Sequence, residues 1–278
     1  MLAYLAQNRL IHKRYTLVRK IGNGQFGAVW RVIDKQDLSV PMVAKIVSKY
    51  KNMKRDVSFD RELEVFKSCG HVSGIPKLLH HFTHVGWNCI VLSLEGPSLS
   101  DVVARNNNKP LSTENVLRIA WKLGSTLSEI HNAGFIHRDV HSQNVLLTLE
   151  KKLAPQKEDY QFHRCVHSSL SVMKGNPHTC RDDWISLIYL CVELHGKNLG
   201  GSLTEMYDAK MEFHSNRDWL YIGNRKWTYE LYNVIMNWMT EDTLDNQEIL
   251  RFLRKSIVRF DCNSPIDYEM VNGKLILQ

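Results

Sequence analysis

The chain has 278 residues, 44% of them hydrophobic and 23% charged, with a formal charge of +7. That length suits one large domain or two lobes packed as one unit, with ample core, and the composition is that of an ordinary soluble globular protein. The positive balance favours acidic partners, but no zinc-finger spacing, aromatic RNA-binding signature or long basic run supports nucleic acid. Six scattered cysteines without paired spacing fit free thiols in a reducing compartment. Met1–Ala6 is too short for a signal peptide, and no apolar run reaches membrane-spanning length. A monomer inside the cell, in cytoplasm or nucleus and away from the membrane, is expected.

In chain order, Tyr15–Lys20 alternates like a strand. Ile21-Gly22-Asn23-Gly24-Gln25-Phe26-Gly27-Ala28-Val29 follows, and Ala28–Ile33 is again strand-like. A dinucleotide fingerprint would open a helix after its glycines; strand, glycine turn, strand is a hairpin instead. Its glycines let backbone amides approach phosphate oxygens with no side chain in the way. Met42-Val43-Ala44-Lys45-Ile46 is apolar except for one lysine, which is costly in a strand core unless paired or reaching water. Partners sit on the next helical stretch, Phe59–Phe66, where both Glu62 and Glu64 are available. The basic cluster Lys49, Lys51, Lys54 and Arg55 reads as a solvated loop. Asn88–Leu94 reads as a buried strand stopped by Glu95-Gly96-Pro97-Ser98.

Beyond residue 96 the pattern turns helical. Ser112 caps a helix with Val116, Ala120, Leu123, Leu127 and Ile130 on one face, ending near Gly134. His137-Arg138-Asp139-Val140-His141-Ser142-Gln143-Asn144 has the form H-R-D-x-x-x-x-N. In such a loop the Asp takes or orients the proton of a substrate hydroxyl, and the Asn, five residues on, reaches a magnesium ion on nucleotide phosphates. Val145–Leu147 reads as a short strand. Asp183–Val192 is apolar nearly all round, a central buried helix ending at Gly196, and Asp183 at its start needs partners, as a cap or as an anchor for the loop. Helical patterns recur at 229–239 and 247–258, and the tail from Pro265 looks irregular. Cys165, His167, His178 and Cys180 match no common zinc spacing.

Together these motifs resemble the casein kinase 1 family of protein kinases, nearer its tau-tubulin-kinase-like branch. The glycine loop, Val43-Ala44-Lys45, Ser73-Gly74-Ile75-Pro76, Leu94-Glu95-Gly96-Pro97-Ser98-Leu99, Gly134–Asp139 and Arg181-Asp182-Asp183-Trp184-Ile185-Ser186-Leu187 carry the likeness. The resemblance implies an α+β, bilobal fold with a β-rich N-lobe (1–95) and a helical C-lobe (96–278). It implies ATP cradled by residues 21–29, with backbone groups near Ser93 and Glu95 on the adenine edge and Leu92 behind it. It selects Glu62 as the partner of Lys45, makes Asp139 and Asn144 the catalytic-loop pair, with Asn144 a magnesium ligand, and lets Asp183 hold the loop backbone. A protein substrate or partner, possibly acidic, follows from the same likeness.

The chain departs from that family where it matters most. There is no Asp-Phe-Gly, whose Asp would chelate magnesium across the β- and γ-phosphates. Between Asn144 and Phe162 about two dozen residues of the family pattern are missing, with most of the activation loop. Asp159-Tyr160-Gln161 follows no apolar strand that could aim its acid. His141 stands where such kinases carry Lys, Ser142 where they carry Pro, and Gly200-Gly201-Ser202 where they carry Pro-Trp. Magnesium binding is therefore expected to be weak or absent, and phosphotransfer impaired. The alternatives are a pseudokinase acting as a binding module, or an exon-skipped form of an active kinase.

Overall fold

A computed structural model describes residues 5–24, 27–51, 54–55, 57–106, 109–148, 167–216, 226–237, 245–256, 264–272 and 274–277. The chain divides after Gly96 into two compact units, the first also taking the segment that opens at Thr148.

The first unit is an antiparallel sheet. Its strands are β1 (Leu10–Ile11), β2 (Tyr15–Gly24), β3 (Gly27–Asp34), β4 (Met42–Ser48), β7 (Leu78–Thr83) and β8 (Trp87–Ser93), in the order β1-β2-β3-β4-β8-β7. A two-residue pair, β5 (Tyr50–Lys51) with β6 (Lys54–Arg55), stands apart, so the basic cluster forms a small hairpin. Alternation decides which side chains meet. Met42, Ala44 and Ile46 join Ala28, Trp30, Val32, Cys89 and Val91 in one core. Val43 and Val47, with Ile90 and Leu92, face the other way and meet Phe59, Leu63 and Phe66 of helix α1 (Ser58–Ser68). Lys45 shares that second face, and Glu62 lies on the same stripe of α1 as Phe59, Leu63 and Phe66, at the spacing that puts helical residues on one side.

Helices make most of the second unit: α2 (Leu99–Arg105), α3 (Thr113–Asn132), α4 (Leu170–Met173), α5 (Cys180–Leu194), α6 (Leu203–Ser215), α7 (Lys226–Asn237) and α8 (Asn246–Ser256). Ser112 caps α3 by accepting from the Asn115 amide, and Val116, Ala120, Leu127 and Ile130 are buried while Leu123 is half-buried. Helix α5 is buried continuously from Asp182 to Val192, as its uniform apolar sequence requires, and Gly196 (φ +93°) ends it in the left-handed conformation glycine adopts freely. The Gly200-Gly201-Ser202 replacement starts α6: Ser202 accepts from the Glu205 amide, and the Glu205 carboxylate accepts from the Ser202 amide.

Two expectations need correction. Val145–Leu147 is not a strand; it makes only the isolated bridge Ser98–Leu146, because this stretch runs beside the start of α2, with Leu99 N bonded to Val145 O and Leu147 N to Pro97 O. The tail is not irregular but a hairpin of β9 (Tyr268–Val271) and β10 (Lys274–Leu277). Leu275 and Leu277 are buried, Asn106 donates to Leu277 O, and Asp267 pairs with Arg118 and exchanges bonds with Asn115. The predicted helices at 229–239 and 247–258 are α7 and α8, starting at 226 and 246; residues 238–239 and 257–258 lie outside the described residues.

Candidate functional site

The candidate residues fall into two groups, one in each unit. In the first unit, Lys45 Nζ lies 2.7 and 2.8 Å from the two carboxylate oxygens of Glu62, while Glu64 is exposed. Both partners of the pair remain about a third accessible, at 29% and 30%. Such a pair leaves the ammonium fixed yet reachable, which suits a lysine that takes a second anionic partner. Val29, opposite Lys45 in the β3–β4 ladder, shares its face. Ala28 points the other way into the core, so its side chain is removed from the set that could line a nucleotide.

Within the glycine loop, Ile21 and Gly22 are half-buried, Asn23 and Gly24 close the β2 side, and Gln25 and Phe26 lie outside the described residues. Gly27 (φ +147°) is required by packing: a Cβ there would stand 2.1 Å from Ile46 O. The third glycine of the motif thus serves the close approach of β3 to β4, whatever the first two do for phosphate.

At the end of β8, Ser93 N donates to Lys77 O and Leu94 N to Pro41 O, both at 3.0 Å. Those amides are committed, so the Ser93 N–H is withdrawn as a donor to a base edge, leaving its carbonyl and the Glu95 amide. The Ser93 hydroxyl donates to Glu95 Oε1 at 2.6 Å, which holds that acid within the hinge stretch.

In the second unit the loop is built around one buried acid. Asp183 accepts from His137 N (2.7 Å), Arg138 N (2.8 Å) and His131 Nε2 (2.9 Å), and the His131 and Asp183 side chains are 2% and 1% exposed. Arg138 sits at φ +68°, a strained conformation for a residue with a side chain, which these two amide bonds hold. Capping falls to the neighbour: Asp182 accepts from Thr179 N and Oγ1 at 2.8 Å each. Cap and anchor are thus two residues, where the sequence left both roles to Asp183.

Asp139 and Asn144 are brought together. Asn144 Nδ2 donates to Asp139 O (2.8 Å) and Asp139 Oδ2 (2.7 Å), and His141 Nε2 stands 3.3 Å from Asp139 Oδ1. Desolvation acts to raise the Asp139 pKa, but the bonds from His141 and Asn144 outweigh it and hold the carboxyl below the usual range, ionised at neutral pH. An Asn that donates this way offers its oxygen, not its nitrogen, to a cation. A magnesium site needs near-octahedral oxygens, with one or two carboxylates beside the phosphates. Among the described residues no group of three His, Cys, Asp or Glu could hold a metal, and the sequence has no Asp-Phe-Gly. Of the loop residues, Asn144 keeps a side-chain oxygen that could serve a magnesium ion.

Asp159-Tyr160-Gln161 and Cys165 lie outside the described residues, and His167, drawn earlier into a zinc comparison, is bonded to Glu193 Oε2 at 2.9 Å. Sequence reasoning missed His131, His167 and Glu193 as supports of the loop. The signal for His131 was faint: a histidine in the last turn of an otherwise apolar helix face, six residues before the motif.

Against known families, residues 15–196 match the protein kinase domain. A probable casein kinase I homolog of Encephalitozoon cuniculi is 27% identical, over 70% of this chain and 68% of that protein. Protein kinase domains in general use ATP with magnesium and act on protein substrates. Two units of this architecture, the ordered run of motifs and the match across most of the chain agree: this protein belongs to the protein kinase family and is casein kinase 1-like.

Proposed function

We propose that the chain is a casein-kinase-1-like Ser/Thr kinase domain that holds ATP through its first unit and transfers phosphate to protein Ser/Thr poorly or not at all. The carrying observation is the bidentate Lys45–Glu62 pair. A pair this accessible contributes little to folding, about 0–1 kcal/mol, so its presence in the chain speaks for a ligand rather than for the fold. Residues 21–24, 27 and 29 with Lys45 would hold the phosphates, and the Ser93 carbonyl and Glu95 amide the base. Asp139 would face the acceptor hydroxyl, and Asn144 would give the one metal ligand. Without the Asp-Phe-Gly carboxylate magnesium would be held weakly, and the γ-phosphate would lose the counter-charge that the ion supplies, so transfer would be impaired. The partner is a protein, acidic by charge complementarity with a +7 chain, and the chain acts as a monomer in cytoplasm or nucleus.

Radiolabel transfer from ATP to an acidic Ser/Thr peptide tests the catalytic half of this reading. The expected result is background transfer, unchanged by Asp139→Asn. Robust transfer abolished by Asp139→Asn would mean that the metal acid has been replaced from elsewhere. The block-like loss between Asn144 and Phe162 favours one further reading, an exon-skipped form of an active kinase; transcript sequencing across codons 145–165 that found no longer form would remove it.

A further inference from the structure

His141 replaces a lysine, yet it is not idle. Its Nδ1 accepts the Gln143 backbone N–H at 3.2 Å, so the ring proton lies on Nε2, 3.3 Å from Asp139 Oδ1. A ring in this orientation donates from Nε2 to the carboxylate. The ring is held from the far side. His167 lies parallel to it, with centroids 6.3 Å apart and planes 10° apart, and is 5% exposed. His167 Nε2 is in turn 2.9 Å from Glu193 Oε2 on α5. The backbone beside His167 is pinned: Lys210 Nζ donates to Ser168 O at 2.7 Å, and the Ser169 hydroxyl donates to Asp182. A column Glu193–His167–His141–Asp139 thus runs from a buried helix to the loop acid.

We infer that His141, clamped by His167 and Glu193, is a positioning residue that holds the Asp139 carboxylate through its Nε2. Asn144 holds Oδ2 and His141 holds Oδ1, so the carboxylate plane is fixed from both sides. This rests on reading Asp139 as the hydroxyl-facing acid of a kinase loop, but its test needs neither nucleotide nor transfer, so failed ATP binding would leave it standing.

The test is nitrogen NMR on the full chain without ligand. In the unaltered protein the His141 Nε2 is expected to be protonated and Nδ1 not. His141→Phe keeps a ring against His167 but removes the donor; the Asn144 side-chain amide signals should then move, because Asp139 loses its second restraint. His141→Gln, which can donate again, should return them toward their original positions. Glu193→Ala should shift the His141 ring signals. A His141 protonated on Nδ1, or Asn144 signals unmoved in His141→Phe, would overturn the inference, and the first of these readings requires no variant.

Discussion

Lys45–Glu62 in the first unit and His131–Asp183 in the second each join a basic side chain to an acid, but they are built to different ends. The first is about a third exposed on both sides. The second is almost completely buried, and its acid also carries two backbone amides and a strained Arg138. The start of the loop, at His137 and Arg138, is therefore fastened by its backbone into the core of its unit. The lysine pair is left open to solvent, whereas the start of the loop is locked by a buried acid.

The largest effect should come from the buried pair. Asp183→Ala strands His131 and two amides, and losing one partner of a buried pair costs about 3–5 kcal/mol. The melting midpoint should fall by on the order of 10 °C, measured by calorimetry or circular dichroism. Gly27→Val comes next, since its Cβ meets Ile46 O at a positive φ; strain and overpacking together should cost roughly 3 kcal/mol. A Gly27→Val protein as stable as the parent would show that β3 can move off β4. Lys45→Ala should change stability by less than about 1 kcal/mol. A loss as large as that of Asp183→Ala would break the contrast between the units.

Two buried thiols sharpen it further. Cys89 in β8 and Cys191 in α5 have no exposed surface, and burial raises both thiols, Cys191 to about 12. Neither should react with a thiol reagent near pH 8 in the native protein. Pulse labelling read by mass spectrometry should then find Cys89 modified first in Gly27→Val and Cys191 first in Asp183→Ala. The smallest effect is on acid stability. The Arg14 guanidinium, 2.9 Å from Asp34, holds that carboxyl below the usual range. A depressed folded value contributes stability above the unfolded pKa of about 3.9 and loses it as pH falls through the folded one. Arg14→Ala should therefore lose stability at neutral pH and little in acid, so that the stability difference between the two narrows, with the pH dependence of that loss confined below about pH 5.

Much of this was legible in the sequence because period and motif agreed. The apolar run Met42–Ile46 marked Lys45 as needing a partner, and the family likeness selected Glu62 over Glu64; the strand alternation and the stripe of Phe59, Glu62, Leu63 and Phe66 agree with that choice. The tail hairpin was missed although Asn272-Gly273 is a strong turn signal between two short alternating runs; Asn272 indeed adopts φ +51°. Ala28 and Ser93 were assigned by position in a motif, and only the sheet register shows that one side chain faces the core and one amide is committed to Lys77. The His141–His167–Glu193 column joins residues 26 to 52 positions apart, and no local pattern carries such a contact.

The most direct test of the central claim is thermal unfolding with ATP, in magnesium and in EDTA, for the parent chain and Lys45→Ala. Ligand at about a hundred times its dissociation constant stabilises by roughly 2.7 kcal/mol, a rise of several degrees. The expected result is an upward shift of equal size with and without magnesium, absent in Lys45→Ala. No shift in a cooperatively melting protein, or a shift that requires magnesium, would contradict a nucleotide-holding kinase domain without its metal acid.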